Sequence, residues 1–410
     1  MELNALMTII TQICVFLGML AIVNHYFRRT WIPPEAWFLC LGVGYALLRR
    51  YIYPWLPATH LDPHVLFFVV LPLLIFASGH LLHPKQIRSQ LVPIAFFAFA
   101  GVFASLALIG LPIAYLMEIR IIDGIFFAAA VSATDPGAVA ALLKRYSLPE
   151  GLQTICEGES LFNDGLAVVV YTTCAALAIK GMEIEATLFS LKFIWALGGA
   201  LVFGWLYGWI TAKLLLWWQD YRVSTELTLS IMLALSAFII GEQILHVSGV
   251  IAVLASAMSF IKVRSGTGPI ARPLDSCNLF DPFWTYLSLV LNALLFFTLG
   301  FETGGHDFPI TWLLLEVIAV LVFSRAVIVY LGSGVLRIMR HPLPLAWQNV
   351  LMLGGLRGPI AIALVLMMPE DYEHKMIFLC LAFVINFVPL LIQPGILQVY
   401  LGSKPAALKP

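Results

Sequence analysis

The chain has 410 residues, 61% of them hydrophobic and only 11% charged, with Lys+Arg and Asp+Glu balanced at 23 each. That balance excludes the basic footprint of a nucleic-acid binder and the polybasic patch of a membrane-surface protein. Apolar stretches that reach the roughly 20 residues a helix needs to cross about 30 Å of hydrocarbon instead predict an all-α polytopic membrane protein.

Thirteen spans are predicted, at 3–27, 35–53, 64–82, 91–117, 122–143, 153–180, 187–217, 225–245, 247–263, 281–300, 310–336, 346–368 and 375–401. The first lacks a basic leading region and a small-residue cleavage site, so it reads as a span and not as a removed signal peptide. In the third, Leu71-Pro72-Leu73-Leu74-Ile75-Phe76-Ala77-Ser78-Gly79 is uninterrupted by charge. The fifth carries Ser132-Ala133-Thr134-Asp135-Pro136, and the sixth carries Glu157-Gly158-Glu159-Ser160-Leu161-Phe162-Asn163-Asp164. The seventh has Gly198, Gly199, Gly204 and Gly208, small residues four apart that permit close helix approach. The eleventh contains Arg325, and the twelfth contains Gly354-Gly355-Leu356-Arg357-Gly358-Pro359. No regulatory module is expected beyond the thirteenth. Trp31, Trp37, Trp55, Trp217 and Trp218 fall at span ends, as an interfacial belt requires. The six cysteines, Cys277 among them, show no metal-ligand spacing and read as inert core thiols, so neither a resident metal nor a cofactor is expected.

The loops supply an orientation. With the N-terminus outside, fifteen Lys and Arg fall in cytoplasmic segments and six outside. Cytoplasmic loops carry the excess of basic residues, so an odd span count with the C-terminus in the cytoplasm follows. The remaining two, Arg325 and Arg357, are intramembrane. Asp164 lies eleven residues into a span that starts near Gln153, roughly 16 Å deep and close to the bilayer centre. Asp135, Arg325 and Arg357 also fall near the middles of their spans. Intramembrane charges are expensive and mark ion or proton pathways, or pair with one another.

Two spans are broken. Pro136 removes a backbone donor and biases Asp135 away from helical geometry, which predicts unwinding near Thr134. The glycines and Pro359 predict the same in the twelfth span. In the predicted topology these two helices run in opposite directions, as in inverted repeats whose discontinuous helices cross at a substrate site.

Ser-Ala-Thr-Asp-Pro at 132–136, Glu-Gly-Glu-Ser-Leu-Phe-Asn-Asp-Gly at 157–165, Phe-Ser-Arg-Ala at 323–326 and Gly-Gly-Leu-Arg-Gly-Pro at 354–359 resemble the monovalent cation/proton antiporters of the NhaP and NHE type. The resemblance covers almost the whole chain in order and spacing. It implies a multi-pass homodimer in a prokaryotic inner membrane. Each protomer would hold a dimerisation domain (1–90 and 183–305) and a six-helix ion-transport core (91–182 and 306–410). Asn163 before Asp164, where electrogenic relatives carry two aspartates, implies one-for-one exchange of sodium and proton. One departure stands out. Relatives often carry an acid in the third span where this chain has Ala77, so either the cage has one ligand fewer or Ser78 or His80 compensates, and ion selectivity is not inherited from the resemblance.

The chemistry is also readable from the residues. A carboxylate in a low-dielectric cage favours its protonated form, and a cation entering that cage favours the charged form, so proton and cation compete. Asp164 is assigned this role. Ser160, one turn earlier on the same helix face, and Thr134 on the broken helix add oxygens for sodium. Asp135 reads either as a direct ligand or as a partner of the broken helix ends. Glu159 and Arg325 read as a structural ion pair, because Arg325 would otherwise be an unpaired buried cation. Asn163 is assigned to hydrogen bonding across the crossing, and Arg357 to neutralising helix ends there. The function expected is a secondary antiporter exchanging sodium, with lithium or potassium as alternative cargo, for protons. A potassium/proton exchanger and a gated cation channel are the alternatives. A transporter and not an enzyme is expected; an intramembrane aspartyl protease is disfavoured because the usual Gly-x-Gly-Asp setting is absent.

Overall fold

The computed structural model describes residues 2–27, 32–53, 62–81, 84–135, 148–179, 186–219, 222–266, 274–305 and 312–403. Pro136, Trp31, Trp55, His83 and the side chain of Cys277 lie outside the described residues. The described residues form helices and no β-strand, as an apolar solvent demands of a chain that must satisfy its own backbone.

In chain order the helices are α1 (Glu2–Ile22), α2 (Pro34–Tyr51), α3 (Leu71–Gly79), the short α4 (Pro84–Ser89), α5 (Leu91–Leu116), α6 (Ile121–Ser132), α7 (Glu150–Ala178) and α8 (Ala186–Trp218). There follow α9 (Val223–Ile239), α10 (Gly249–Gly266), α11 (Leu274–Gly304), α12 (Trp312–Ile338), α13 (Leu345–Leu353), α14 (Pro359–Leu366) and α15 (Lys375–Ser403). Among the described residues seven helices are long and apolar enough to cross a membrane, those within α5, α7, α8, α9, α11, α12 and α15. π-helical turns extend α1 at Val23–Phe27, precede α3 at Leu66–Val70 and extend α9 at Ile240–Ile244. The boundary between the eighth and ninth spans falls at a turn in which His246 adopts φ 51°.

The predicted breaks are present. Helix α6 stops at Ser132, and Ala133 turns extended at φ −57°, ψ 135°. The twelfth predicted span divides into α13 and α14, with Gly354–Gly358 non-helical between them. The large buried core includes Phe76, Phe126, Phe127, Phe260, Phe280, Trp284, Phe296 and Phe378. Large apolar residues such as Ile194, Val202, Phe323 and Leu331 are more than 60% exposed, the outward-facing surface that hydrocarbon and not water would cover.

Glycines set the closest packing. A Cβ at Gly204 would lie 2.2 Å from the Ala252 carbonyl oxygen, and one at Gly208 2.2 Å from that of Ser256, so α8 and α10 meet backbone to backbone. On α2, Gly42 faces Phe297 O at 2.2 Å, and Gly300 of α11 faces Leu39 O at 2.3 Å. Ala252 and Ser256 follow Gly204 and Gly208, and Leu39 and Val43 meet Gly300 and Gly304 in turn, so in both pairs the helices run parallel, as the predicted topology requires for spans 7 and 9 and for spans 2 and 10. Helices α5, α6 and α7 pack on one another, α12 lies on α5, and α14 lies on α6.

Candidate functional site

The site forms where the two broken segments cross. An isolated antiparallel bridge joins Thr134 to Arg357, and the Asp135 N–H donates to Leu356 O at 2.9 Å. Each segment thus satisfies backbone groups that its own helix has released. Gly358 is required by contact and not by conformation: its φ of −117° suits any residue, but a Cβ there would lie 2.5 Å from the Asp135 Cβ.

Helix α7 supplies the remaining groups. Ser160 and Asn163 are buried and face the crossing. The Ser160 hydroxyl donates to Thr134 O. Asn163 Nδ2 donates to Ser132 O at 2.9 Å and to Thr134 Oγ1 at 3.2 Å. Asp164, one residue further, is half-buried; its Oδ1 is inaccessible and without a hydrogen-bond partner. The backbone amide of Thr134 is directed at its carboxylate, and Asp135 lies within electrostatic reach. Asp164, Asp135, Thr134 and Ser160, the four residues assigned to a cation, therefore meet around one point. The oxygens there are two carboxylates, two hydroxyls and main-chain carbonyls, a donor set suited to a hard cation and not to a soft, thiolate-seeking metal.

The flanking charges are arranged differently. Arg325 of α12 grips Glu159 of α7 in a bidentate pair, Nη1 to Oε1 at 2.5 Å and Nη2 to Oε2 at 3.1 Å. It also donates to Leu351 O, at the end of α13, at 2.8 Å. The side chains are 12% and 4% exposed. Gly355 leaves the passage for this guanidinium, since a Cβ there would sit 2.3 Å from Arg325 Nε. Arg357 is buried and donates to Ser132 O, the last residue of α6, at 2.9 Å. A cation at the carbonyl end of a helix opposes the partial negative charge collected there.

The third predicted span adds no charge to the crossing. Ala77 is buried. His80 lies between Phe280 and Trp284, with Asp281 Oδ1 3.9 Å from its Nε2, and both ring nitrogens lack hydrogen-bond partners.

Two features were not singled out in the sequence. Glu35, in the first turn of α2, has a buried Oε2 without a partner; directly after Pro33-Pro34 it reads as an ordinary helix-start acid. At the opposite end of α6, the fully buried Asp123 receives Arg120 Nε at 2.7 Å and Nη2 at 2.8 Å. The Tyr372 hydroxyl also donates to Asp123, at 2.7 Å. Burial, followed by this hydrogen bond, pushes the Tyr372 phenol up from its usual value. The cluster ties the start of α6 to the α14–α15 loop. Only the three-residue spacing of Arg120 and Asp123 was visible in the sequence.

Comparison with known proteins shows the family and the fold. The Na(+)/H(+) antiporter NhaH of Halobacillus dabanensis is 31% identical over 332 residues, covering 79% of each chain. The Na(+)/H(+) antiporter NhaP of Pseudomonas aeruginosa is 29% identical, covering 94% of this chain and 95% of that protein. The alignment with NhaG of Bacillus atrophaeus, at 30% identity, takes in 80% of this chain but 62% of that protein. The fold superposes on the sodium proton antiporter MjNhaP1 of Methanocaldococcus jannaschii with a TM-score of 0.79 over 99% of this chain and 100% of that one, at 17% identity. The family profile described as "Sodium/hydrogen exchanger, transmembrane" matches residues 13–402, so the chain belongs to the sodium/hydrogen exchanger family of integral membrane proteins.

Proposed function

We propose that the protein is a secondary antiporter that exchanges sodium for protons, one for one, by alternating access at Asp164. The observation that carries this reading is the Asp164 carboxylate, whose Oδ1 is buried without a partner at the crossing of two broken helices. A buried carboxylate oxygen with nothing to bind is costly, and both a proton and a cation relieve that cost. Either ligand neutralises the site; neither can share it with the other. If the core reorients only when Asp164 is neutralised, exchange is obligatory and needs no cofactor or second energy source.

The other groups fit supporting roles. Ser160 and Thr134 supply oxygens beside Asp164, and Asp135 is held by Leu356 O at the edge of the cage. Glu159 is neutralised by Arg325. Asn163 bonds both Ser132 and Thr134, so it carries hydrogen bonds and no charge. With Glu159 paired, and with Asp135 taken to stay ionised throughout the cycle, Asp164 is the carboxylate that alternates between proton and cation, which supports electroneutral exchange. The packing of α5–α7 with α12 and α14 supports a core distinct from the helices around α2, α8, α10 and α11. On this reading the latter group forms the dimerisation domain of a homodimer in the plasma membrane, with the N-terminus outside and the C-terminus in the cytoplasm.

Asp164→Asn tests the assignment, because asparagine keeps the size and one oxygen but neither releases a proton nor supplies a full charge. In proteoliposomes with imposed sodium, lithium or potassium gradients, the wild type exchanges cation for proton and the variant does not, while its melting in detergent is unchanged. Sodium-dependent proton flux through Asp164→Asn places the exchange carboxylate elsewhere.

A further inference from the structure

A further carboxylate near the crossing comes from a helix that contributes nothing else to it. Glu35 is the second residue of α2. One of its oxygens turns back on its own backbone amide, and Asp135 lies within electrostatic reach. The other oxygen, Oε2, is buried without a hydrogen-bond partner. Among the described residues the acids buried as whole residues are treated differently: Glu159 is paired with Arg325, Glu226 with Arg264 and Asp123 with Arg120. The described ion pairs include none for Glu35.

The position of Glu35 is fixed. Downstream on α2, Gly42 and Gly300 bring the backbones of α2 and α11 together, so the helix cannot slide or roll without collision. The same helix packs against α15, which lies on α14 and hence beside the crossing. The first turn of α2 accounts for one oxygen, which meets the Glu35 amide at the positive end of the helix, but not for Oε2. A carboxylate oxygen buried, unpaired and within electrostatic reach of a second carboxylate raises the local attraction for a cation, and low-dielectric walls focus that field.

We propose that Glu35 is a further cation-handling carboxylate of the transport path, standing beside Asp135 on the opposite wall and drawing the arriving monovalent cation toward the Asp135–Asp164 pair. The inference rests on the exchange reading. Because α2 belongs to the helices packed around α11 and Asp135 to the moving core, Glu35 acts on the ion during entry and not on the occluded state. Its loss therefore weakens capture and leaves turnover intact.

The test is the apparent KM and the maximal rate of cation-dependent proton flux in proteoliposomes, measured for wild type, Glu35→Gln, Glu35→Asp and Glu35→Lys. The measurement uses whichever of sodium, lithium or potassium the wild type carries. Glu35→Gln is expected to raise KM about tenfold, the lower end of what field focusing delivers, with the maximal rate unchanged. Glu35→Asp restores the wild-type KM, and Glu35→Lys raises it further than Glu35→Gln. Melting in detergent separates a folding defect from a capture defect, and the Glu35→Asp and Glu35→Lys pair decides the matter if Glu35→Gln is unstable. An unchanged KM in Glu35→Gln or Glu35→Lys, with wild-type exchange intact, overturns this inference alone. A wild type that exchanges none of the three cations overturns it together with the exchange reading.

Discussion

Replacing Arg325 by methionine probes the crossing most directly, because the volume is kept while one charge is removed. In the native structure the guanidinium makes two bonds to Glu159 at 2.5 and 3.1 Å and a third to Leu351 O at 2.8 Å. Arg325→Met strands the Glu159 carboxylate, 4% exposed, and removing one partner of a buried pair costs about 3–5 kcal/mol. The Leu351 carbonyl also loses its donor, which adds about 1–3 kcal/mol. The single variant should therefore lose on the order of 4–8 kcal/mol. Replacing a buried pair wholly by apolar residues is close to neutral. In Glu159→Leu/Arg325→Met only the carbonyl cost of about 1–3 kcal/mol then remains, and the double variant is more stable than Arg325→Met. Reversible unfolding of the purified protein in mixed micelles reads both differences. A double variant no more stable than the single, or a single within about 1 kcal/mol of wild type, a loss no larger than that of an ordinary point substitution, would refute the reasoning that the two charges compensate each other.

Three further outcomes are expected. Clamping the membrane potential with valinomycin and potassium should leave initial sodium/proton exchange rates unchanged, since Asn163 leaves one cycling carboxylate; a rate that follows the imposed voltage rejects one-for-one exchange. Gly358→Ala places a methyl 2.5 Å from the Asp135 Cβ, so exchange should fall and stability drop by an overpacking cost of about 1–3 kcal/mol; wild-type exchange in that variant would show that Asp135 need not be held where it is. The third outcome concerns Tyr372, whose phenol is raised by burial and by its bond to Asp123. The folded chain then keeps a proton that the unfolded chain releases above its ordinary value of about 10. Stability from this group is fully present below that pH and falls above it, so Tyr372→Phe should lower stability at neutral pH and flatten the alkaline decline in melting temperature. An alkaline decline identical in the two proteins rejects this contribution.

The sequence by itself determined the class of the molecule and most of its site. Long apolar runs can only be helices in hydrocarbon, and charges at their midpoints are too costly to be incidental. Pro136 and the glycines around Arg357 announced the two breaks, because their backbone effects are local. The grouping of Thr134, Asp135, Ser160, Asn163 and Asp164 was legible because neighbouring spans place motif residues at one depth. The pairing of Glu159 with Arg325 was legible for a similar reason: a buried cation needs a partner, and few were available. What only the tertiary structure decided are relations between segments far apart in the chain. The bridge from Thr134 to Arg357, the Arg325 donation to Leu351 O and the space that Gly355 leaves for the guanidinium all depend on the crossing angle of two interrupted helices. No periodicity encodes that angle. The same holds for His80, set among Phe280 and Trp284, and for Glu35, whose neighbour Asp135 is 100 positions away. A charge at a helix start looks the same in sequence whether or not a second carboxylate lies within electrostatic reach, and only the packing of α2 against α11 and α15 brings Asp135 there.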